Sequence, residues 1–250
     1  MIINLLNETI GGLQVLLRHK NIYTALVHTN QPIDTSLEEL NTEIIKMVEE
    51  TPKFPIDFEM FSFTKTFCDA EFITGNQILQ SQDNMWPEYY KSRKDFQEIK
   101  KKEFLERKNF VISKKLTTLS VQTHPFFNMP NFTNFITSNP NIQESNNQDF
   151  GIQNKIVPAF QNFQDASLYF RTLIDKEDRV FYDVGPQCLH QVLDILDLYI
   201  ITIYSGELDE KFRVGKMPDF ELIKNKFKLT YKSQVYPQHK GHLQFLVFEK

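Results

Sequence analysis

The turn Val184-Gly185-Pro186 has the clearest capacity for chemistry in the sequence, because it stands between a strand-like run and a helix-like run. Glycines in such turns let backbone N–H groups approach a phosphate, and the helix N-terminus behind them adds a favourable partial charge. Pro186 removes one N–H donor and fixes φ, and proline is also common at the first position of an ordinary helix. The turn therefore fits a nucleotide site, although a plain strand-to-helix junction explains it fully.

Two other groups of side chains have types that suit catalysis or metal binding. Cys188 lies just inside the following helix, where the helix dipole lowers thiol pKa values, and His190 is near it in sequence. A buried structural cysteine is the favoured interpretation. His239 and His242 are three residues apart with Asp219 upstream, but a third ligand at zinc-site spacing is missing. We expect surface histidines here and predict no metal site.

The composition favours a single globular domain. The chain has 250 residues, 41% of them hydrophobic, which is enough for one large core. The net charge of -4 gives no general basic surface, and the basic residues of 91–108 alternate with acidic ones, as on a solvated helix face. A nucleic-acid partner is therefore not expected.

Cysteine content and hydropathy bear on the compartment. The two cysteines are too few for a disulfide framework, which is typical of a reducing environment. No apolar run approaches the roughly 20 residues that span a bilayer, and the segment before Arg18 lacks the basic start of a signal peptide. An intracellular protein is predicted, in mitochondria or in the cytoplasm.

Strand and helix patterns alternate along most of the chain. Strands are predicted at 22–27, 70–74, 109–113, 155–157, 179–184, 198–204, 227–236 and 242–248. Helices are predicted from Ser36 to the residue before Pro52, at 57–66, 89–108 and 166–173, and after Pro186. In the last of these, the apolar residues that share one face are Leu189, Val192, Leu193 and Leu196.

This order predicts one α/β domain over residues 1–250. Its sheet should be mixed but mostly parallel, with helices on both faces and a C-terminal antiparallel hairpin. Between Asn128 and Asn154 the chain carries eight asparagines and two prolines, a composition that favours loops. An insertion rich in Asn, Pro and Phe is therefore predicted at about 121–154.

Three segments resemble the dihydrofolate reductase fold, and specifically the pyrimidine reductase domain of riboflavin biosynthesis. Tyr23 to Ile33 resembles the first strand and loop, where such reductases usually read Ser-x-Asp-Gly-x-Ile. Cys68 to Gly75 resembles the strand that ends in a glycine, usually followed three residues later by a threonine near the cofactor phosphates. Arg179 to Ile203 resembles the strand, diglycine turn, helix and strand that hold the dinucleotide.

The sequence departs from this family at three positions of the site. Asn30-Gln31 replaces the Asp-Gly pair, Ile78 stands where the threonine belongs, and Gly185-Pro186 replaces the diglycine. An amide at position 30 still binds ligands but cannot do acid-base work. The first hypothesis is therefore a catalytically degenerate reductase that serves, without cofactor, as a structural or interaction subunit of a larger, possibly mitochondrial assembly. Its expected partners are other protein subunits, or a second copy of itself.

The alternative is an active NADPH-dependent reductase of a pyrimidine or pteridine-like substrate, as in riboflavin-type 5-amino-6-(5-phosphoribosylamino)uracil reductases. A third hypothesis is a nucleotide sensor without turnover. The residues that the resemblance assigns to an active site are Asn30 and His28 toward the substrate, and Gly75, Gly185, Pro186 and Gln187 toward the cofactor. His28 is equally compatible with a hydrogen-bonded core histidine.

Overall fold

A computed structural model of the chain describes residues 2–29, 43–45, 55–75, 94, 98, 107–113, 132–137, 155–158, 163–206, 213–216, 220–238 and 241–250. The strands are β1 (Asn21–Thr29), β2 (Glu43–Ile45), β3 (Ala70–Thr74), β4 (Lys108–Ser113), β5 (Phe132–Thr137), β6 (Lys155–Pro158), β7 (Val180–Asp183), β8 (Leu198–Gly206), β9 (Arg213–Lys216), β10 (Lys228–Lys232), β11 (Tyr236–Gln238) and β12 (Gly241–Glu249). The helices are α1 (Ile2–Ile10), α2 (Leu13–Leu17), α3 (Pro55–Thr66), α4 (Phe163–Thr172), α5 (Pro186–Val192) and α6 (Phe220–Lys226).

These strands form one mixed sheet. Its main path runs β10-β12-β8-β1-β7-β3-β4-β5-β6. Every neighbouring pair from β8 to β6 is parallel, whereas β12 is antiparallel to both β8 and β10. Strand β11 pairs with β12, and β2 joins β1 to β9, in each case antiparallel. The predicted mostly parallel sheet with an antiparallel C-terminal hairpin is confirmed.

Helices cover both faces of the sheet. On one face α1, α2 and α3 pack with side chains such as Leu198 and Ile200 of β8. On the other face α4, α5 and α6 pack with Tyr199 and Ile201 of the same strand. Successive strand residues point to opposite faces, so a strand covered on both sides is apolar throughout. The near-continuous apolar run of β8 has this cause.

Several predicted elements are confirmed closely. Helix α3 begins at Pro55, a residue favoured at the first helical position, and β3 follows it. Helix α5 begins at Pro186, and its predicted apolar face is fully buried at Leu189 and Val192. Local periodicity was sufficient for these elements because the whole apolar stripe faces the sheet.

Two predictions are wrong at residues that the structure describes, and a third helix was predicted to end too late. The helix predicted from Ser36 includes Glu43–Ile45, which instead form β2, with Ile44 opposite Val27 of β1. Two adjacent isoleucines suit a strand, and this long-range pairing overrides the helical spacing. The helix predicted at 89–108 is helical and exposed at 94 and 98, but Lys108 opens β4. The rest of both helices lies outside the described residues.

The third correction concerns the predicted loop insertion at 121–154. Within it, Phe132–Thr137 form β5, which lies between β4 and β6 in the sheet. The run Phe-Thr-Asn-Phe-Ile-Thr is rich in aromatic and β-branched residues, which suit a pleated surface despite the surrounding asparagines. These six residues therefore belong to the sheet.

The N-terminal helices were not predicted from the sequence. They turn at Gly11 and Gly12, both of which have positive φ, and the ring of Tyr231 lies 3.0 Å from where a Cβ of Gly11 would stand. The hydroxyls of Tyr231 and Tyr236 donate to the carbonyl oxygen of Glu8 at 2.9 and 3.0 Å. The C-terminal hairpin thus caps α1, a contact that no local pattern reveals. None of the described helices is long and apolar enough to cross a bilayer.

The start of β12 leaves no room for a side chain. A Cβ on Gly241 would lie 2.2 Å from the Ser205 carbonyl oxygen and 2.8 Å from the Gly206 Cα, both backbone atoms of β8. We expect Gly241→Ala to lower the free energy of unfolding by about 1–3 kcal/mol, because the strands must separate there. Urea denaturation measures this loss. Gly185→Ser is the matched control: its Cβ meets nothing within 4 Å, so an equal loss in both variants would contradict the explanation.

Candidate functional site

The sheet opens between β1 and β7. The last registered pair between these strands is Ile22 with Phe181, close to their N-terminal ends. Beyond it, β1 continues alongside β8 as far as Thr29, whereas β7 stays with β3 as far as Asp183. The carboxyl-terminal parts of β1 and β7 are therefore not paired with each other, and an opening results.

This opening coincides with the switch point of the topology. The described helix that follows β1 is α3, which packs on one face of the sheet, while α5 follows β7 on the opposite face. In open α/β sheets, ligands bind in the crevice at the carboxyl ends of such a pair of strands. The geometry alone thus makes this edge the candidate site.

The predicted site residues fall largely at this edge of the sheet. His28 lies near the end of β1, Gly75 directly after β3, Gly185 before α5, and Pro186 and Gln187 at the start of α5. These positions share one edge because the carboxyl ends of parallel strands meet there. Asn30 and Ile78 lie outside the described residues. The ligand contacts assigned to all these residues stay predictions.

The backbone at Gly185 does not itself require glycine. Its φ of -66° and ψ of 162° are extended values open to any residue, and a Cβ there would meet nothing within 4 Å. The missing side chain therefore leaves space beside the turn. Such space fits a phosphate or sugar that approaches the backbone closely, although Pro186 contributes no N–H donor to it.

A buried carboxyl lies in the first turn of α3. Asp57 is 3% exposed, and burial raises the pKa of its carboxyl from 3.8 to about 7. The nearby Thr202 hydroxyl of β8 lowers this pKa by a smaller amount. Among the described residues this buried hydroxyl makes no hydrogen bond of full geometry, so burial dominates the pKa of Asp57. A carboxyl that titrates near neutrality in a buried place is suited to proton transfer. Sequence reasoning missed it because acidic residues are ordinary at helix starts.

The other end of α3 carries a chain of alternating charges. The ammonium of Lys65 lies 2.5 Å from Glu71 Oε1 and 2.9 Å from Asp183 Oδ2. Arg107 pairs with Glu71 Oε2 and also donates to the carbonyl oxygen of Lys65 at 3.0 Å. The order Arg107, Glu71, Lys65, Asp183 therefore alternates positive and negative groups.

Aromatic rings surround the cation of this chain. The Lys65 ammonium lies 4.7 Å from the centroid of the Phe61 ring and 5.3 Å from that of Phe181. Ring faces attract a cation, and the attraction grows when water is excluded. Lys65 is thus held between two carboxylates and two rings on the face of the sheet that α3 covers.

Helix α3 therefore places two kinds of chemistry on one face of the sheet. Asp57 and Lys65 are eight residues apart, which corresponds to about 12 Å along a helix. Asp57 faces β8 on one side of β1, and Lys65 faces β7 on the other.

The side chain of Cys188 and the whole of His239 lie outside what the structure describes, so the interpretations given for them stay predictions. Burial raises the pKa of the Cys68 thiol to about 12, so it is not a nucleophile at neutral pH. His190 and His242 are exposed. In the described part of the chain, no three His, Cys, Asp or Glu side chains are placed to hold a metal ion.

The order of strands and the opening between β1 and β7 define a dihydrofolate reductase-like fold of the pyrimidine reductase type, as the sequence predicted. A pyrimidine reductase-like protein from Corynebacterium diphtheriae superposes with a TM-score of 0.54 at 15% identity, over 98% of both chains. The riboflavin biosynthesis reductase Rib7 of Saccharomyces cerevisiae gives 0.50 at 12% identity, over 92% of this chain and 89% of its own. RibD of Acinetobacter baumannii gives 0.52 at 9% identity, over 92% and 58%.

These identities establish the fold alone. No protein-family model matches the sequence, and no curated protein matches it.

Proposed function

We propose that the protein is a reductase that uses NADPH to reduce a planar nitrogen heterocycle of the pyrimidine or pteridine type. The observation that carries this proposal is the opening between β1 and β7, together with the buried carboxyl of Asp57 on α3, the helix that follows β1 in the described part of the chain. The sheet supplies a crevice at its switch point, and the helix supplies an acid matched to neutral pH. The similarity to reductases of the same fold supports the proposal at the level of architecture.

The dinucleotide would lie along the ends of β3 and β7. Gly185 offers unfilled space beside the backbone, and Gly75 directly follows β3, so both allow close approach. When bound, NADPH supplies a hydride to the ring. These residues would bind and orient it at the edge of the sheet.

Asp57 would supply the matching proton. Its carboxyl is protonated below about pH 7, so it can donate to a ring nitrogen while the neighbouring carbon accepts the hydride. With NADPH supplying the hydride, the proton from Asp57 would complete the reduction of one C=N bond, and a proton from solvent would later restore the carboxyl. Burial would hold this carboxyl in its neutral form up to about pH 7.

Turnover tests the proposal directly. Loss of reduced-nicotinamide absorbance is followed with NADPH and a set of aminouracil and dihydropteridine substrates. We expect kcat to fall as pH rises through about 7, because the protonated carboxyl is the active form. Binding of NADPH without oxidation by any substrate would favour the sensor hypothesis. The hypothesis of a degenerate subunit with protein partners remains a prediction from Asn30, Ile78 and Gly185-Pro186, and it requires that NADPH not bind at all.

A further inference from the structure

The edge of the sheet at β10 is exposed and basic. Strand β10 is the last strand on the main path, and among the described strands it pairs with β12 alone. Its exposed residues, called the basic edge below, are Lys228, Leu229, Thr230 and Lys232. An edge strand presents a row of backbone N–H and C=O groups to which a further extended chain can add.

The positive charge of the basic edge is not neutralised within the described part of the chain. Neither of its two lysines forms an ion pair with a described residue. Glu249 of β12 lies opposite Lys228, but its carboxylate pairs with Arg18 at 2.7 Å and with His19 at 2.6 Å. Since the whole protein has a net charge of -4, this edge is a local surplus of positive charge.

Protection against unwanted pairing explains the lysines of this edge but not the leucine between them. Lysines discourage other strands from adding, because their ammonium groups would lose water, and the irregularity between Leu229 and Tyr231 acts in the same direction. Leu229 is nevertheless 39% exposed, and an exposed leucine favours pairing. A strand with carboxylates near the lysines would turn the same repulsive groups into a means of selection.

A second copy of the chain does not suit this edge. In an antiparallel pairing of two β10 strands centred on Thr230, Lys228 of each copy would lie opposite Lys232 of the other. Like charges directly opposite each other destabilise a strand pair. The occupant should therefore carry negative charge at these positions.

We propose that β10 docks an extended acidic segment of a partner protein, which adds to the sheet as a further strand. The backbone of this segment would pair with the outer side of β10, its carboxylates would meet Lys228 and Lys232, and an apolar residue between them would cover Leu229. An anionic membrane surface would attract the lysines but has no extended backbone to pair with the edge.

This surface is separate from the opening between β1 and β7. Strands β12 and β8 lie between β10 and β1 in the sheet. Docking at the basic edge therefore does not depend on the proposed reductase activity, and either can fail without the other.

Two fluorescein-labelled peptides test the charge requirement by fluorescence polarisation with the whole chain. The first is Thr-Glu-Val-Thr-Val-Glu-Thr, whose glutamates have the same spacing as Lys228 and Lys232, and the second has glutamine in place of both glutamates. An exposed charge pair changes affinity by about 1.4- to 5-fold. We therefore expect the wild type to bind the acidic peptide at least about 3-fold more tightly than the glutamine peptide.

Reversing the charge of the edge should have a larger effect, because repulsion replaces attraction. The double variant Lys228→Glu, Lys232→Glu should bind the acidic peptide at least about 10-fold more weakly than the wild type. Lys176→Glu is the control, because this exposed lysine lies in the turn before β7, and its affinity should stay within about 2-fold of the wild type. Equal binding by the wild type and the double variant would overturn the proposal.

Strand addition requires backbone hydrogen bonds as well as charge. Acidic peptides with N-methyl groups at alternate residues, in either phase, keep their carboxylates but lose the N–H donors on one side. One of the two phases should bind at least about 10-fold more weakly. If both bind like the parent peptide, charge alone attracts it and strand addition is contradicted.

Two further outcomes on the wild type alone would also overturn the proposal, and they decide it even if the double variant fails to fold. One is that the acidic peptide does not bind, or binds no better than the glutamine peptide. The other is that the protein sediments with phosphatidylserine vesicles but binds no peptide, which would assign the basic edge to a membrane surface instead.

Discussion

Replacing Asp57 by asparagine is expected to lower kcat by about 100- to 10,000-fold, the range that general acid catalysis contributes. The asparagine amide keeps the shape of the carboxyl and can still contact the Thr202 hydroxyl. Its N–H groups are not acidic near neutral pH, so it cannot supply the proton. The remaining activity should lose its dependence on pH around 7. Initial rates of NADPH oxidation across pH measure both effects.

The same substitution should make the protein more stable at alkaline pH. The pKa of Asp57 is raised from 3.8 to about 7 in the folded state. The contribution of this carboxyl to the stability of the fold is therefore fully present below pH 4 and is lost as pH rises through 7. A difference of about 3 units corresponds to a free energy on the order of 4 kcal/mol. The asparagine amide does not titrate, so the variant has no such loss. Urea denaturation should therefore show a higher free energy of unfolding for Asp57→Asn than for the wild type at pH 8, and little difference at pH 4.

The combination of lower activity and higher stability distinguishes a functional carboxyl from a structural one. Asp165→Asn is the matched control, because Asp165 also lies in the first turn of a helix but is exposed. It should change neither the rate nor the pH dependence of stability. Lower stability of Asp57→Asn at pH 8 would mean that the buried carboxylate is ionised and structural, which contradicts the assigned role.

Replacing Lys65 by methionine is expected to lower the free energy of unfolding by about 3–5 kcal/mol, because it leaves a buried charge uncompensated. Glu71 would then keep its ion pair with Arg107, whereas Asp183 would lose its ion pair with Lys65. The volume is nearly kept, so lost packing contributes little. The whole free energy of unfolding of a native protein is roughly 5–15 kcal/mol. A loss of this size should therefore shift the midpoint of urea denaturation clearly.

A second substitution tests whether charge is the cause. Asp183→Asn in the Lys65→Met background removes the surplus negative charge, so part of the lost stability should return. Lys108→Met provides the comparison: its ammonium pairs with Asp178 at 3.0 Å, but its side chain is 44% exposed, so its loss should cost less than about 1 kcal/mol. If Lys65→Met and Lys108→Met have equal free energies of unfolding, the buried alternating charges do not act as described.

The fold followed from the sequence where the signal is local. The apolar face of α5 and the continuous apolar run of β8 each reflect burial that repeats with the period of the element. Strand β2 was missed because three residues give too short a pattern, and their pairing with β1 decides their conformation. Strand β5 was missed because asparagine content masked its aromatic and β-branched residues.

The chemistry of the site could not be predicted in the same way. Lys65 and Asp183 are 118 residues apart, and each alone resembles an ordinary polar residue at the end of a helix or strand. Asp57 becomes unusual only because α3 buries it against Thr202 of β8. The sequence placed the glycines near the site, since strand ends meet at one edge, but side-chain partners depend on the packing of distant elements.

Calorimetric titration of NADPH into the wild type and into Gly185→Val tests the central claim most directly. A valine fits the extended backbone at this position, and its side chain would fill space that no other atom occupies within 4 Å, so the variant should fold with little loss of stability. We expect the wild type to bind NADPH with a Kd between about 1 μM and 1 mM, typical of enzyme ligands. Gly185→Val should bind at least 10-fold more weakly. No binding by the wild type at millimolar NADPH, or equal binding by both proteins, would contradict a dinucleotide site at the end of β7.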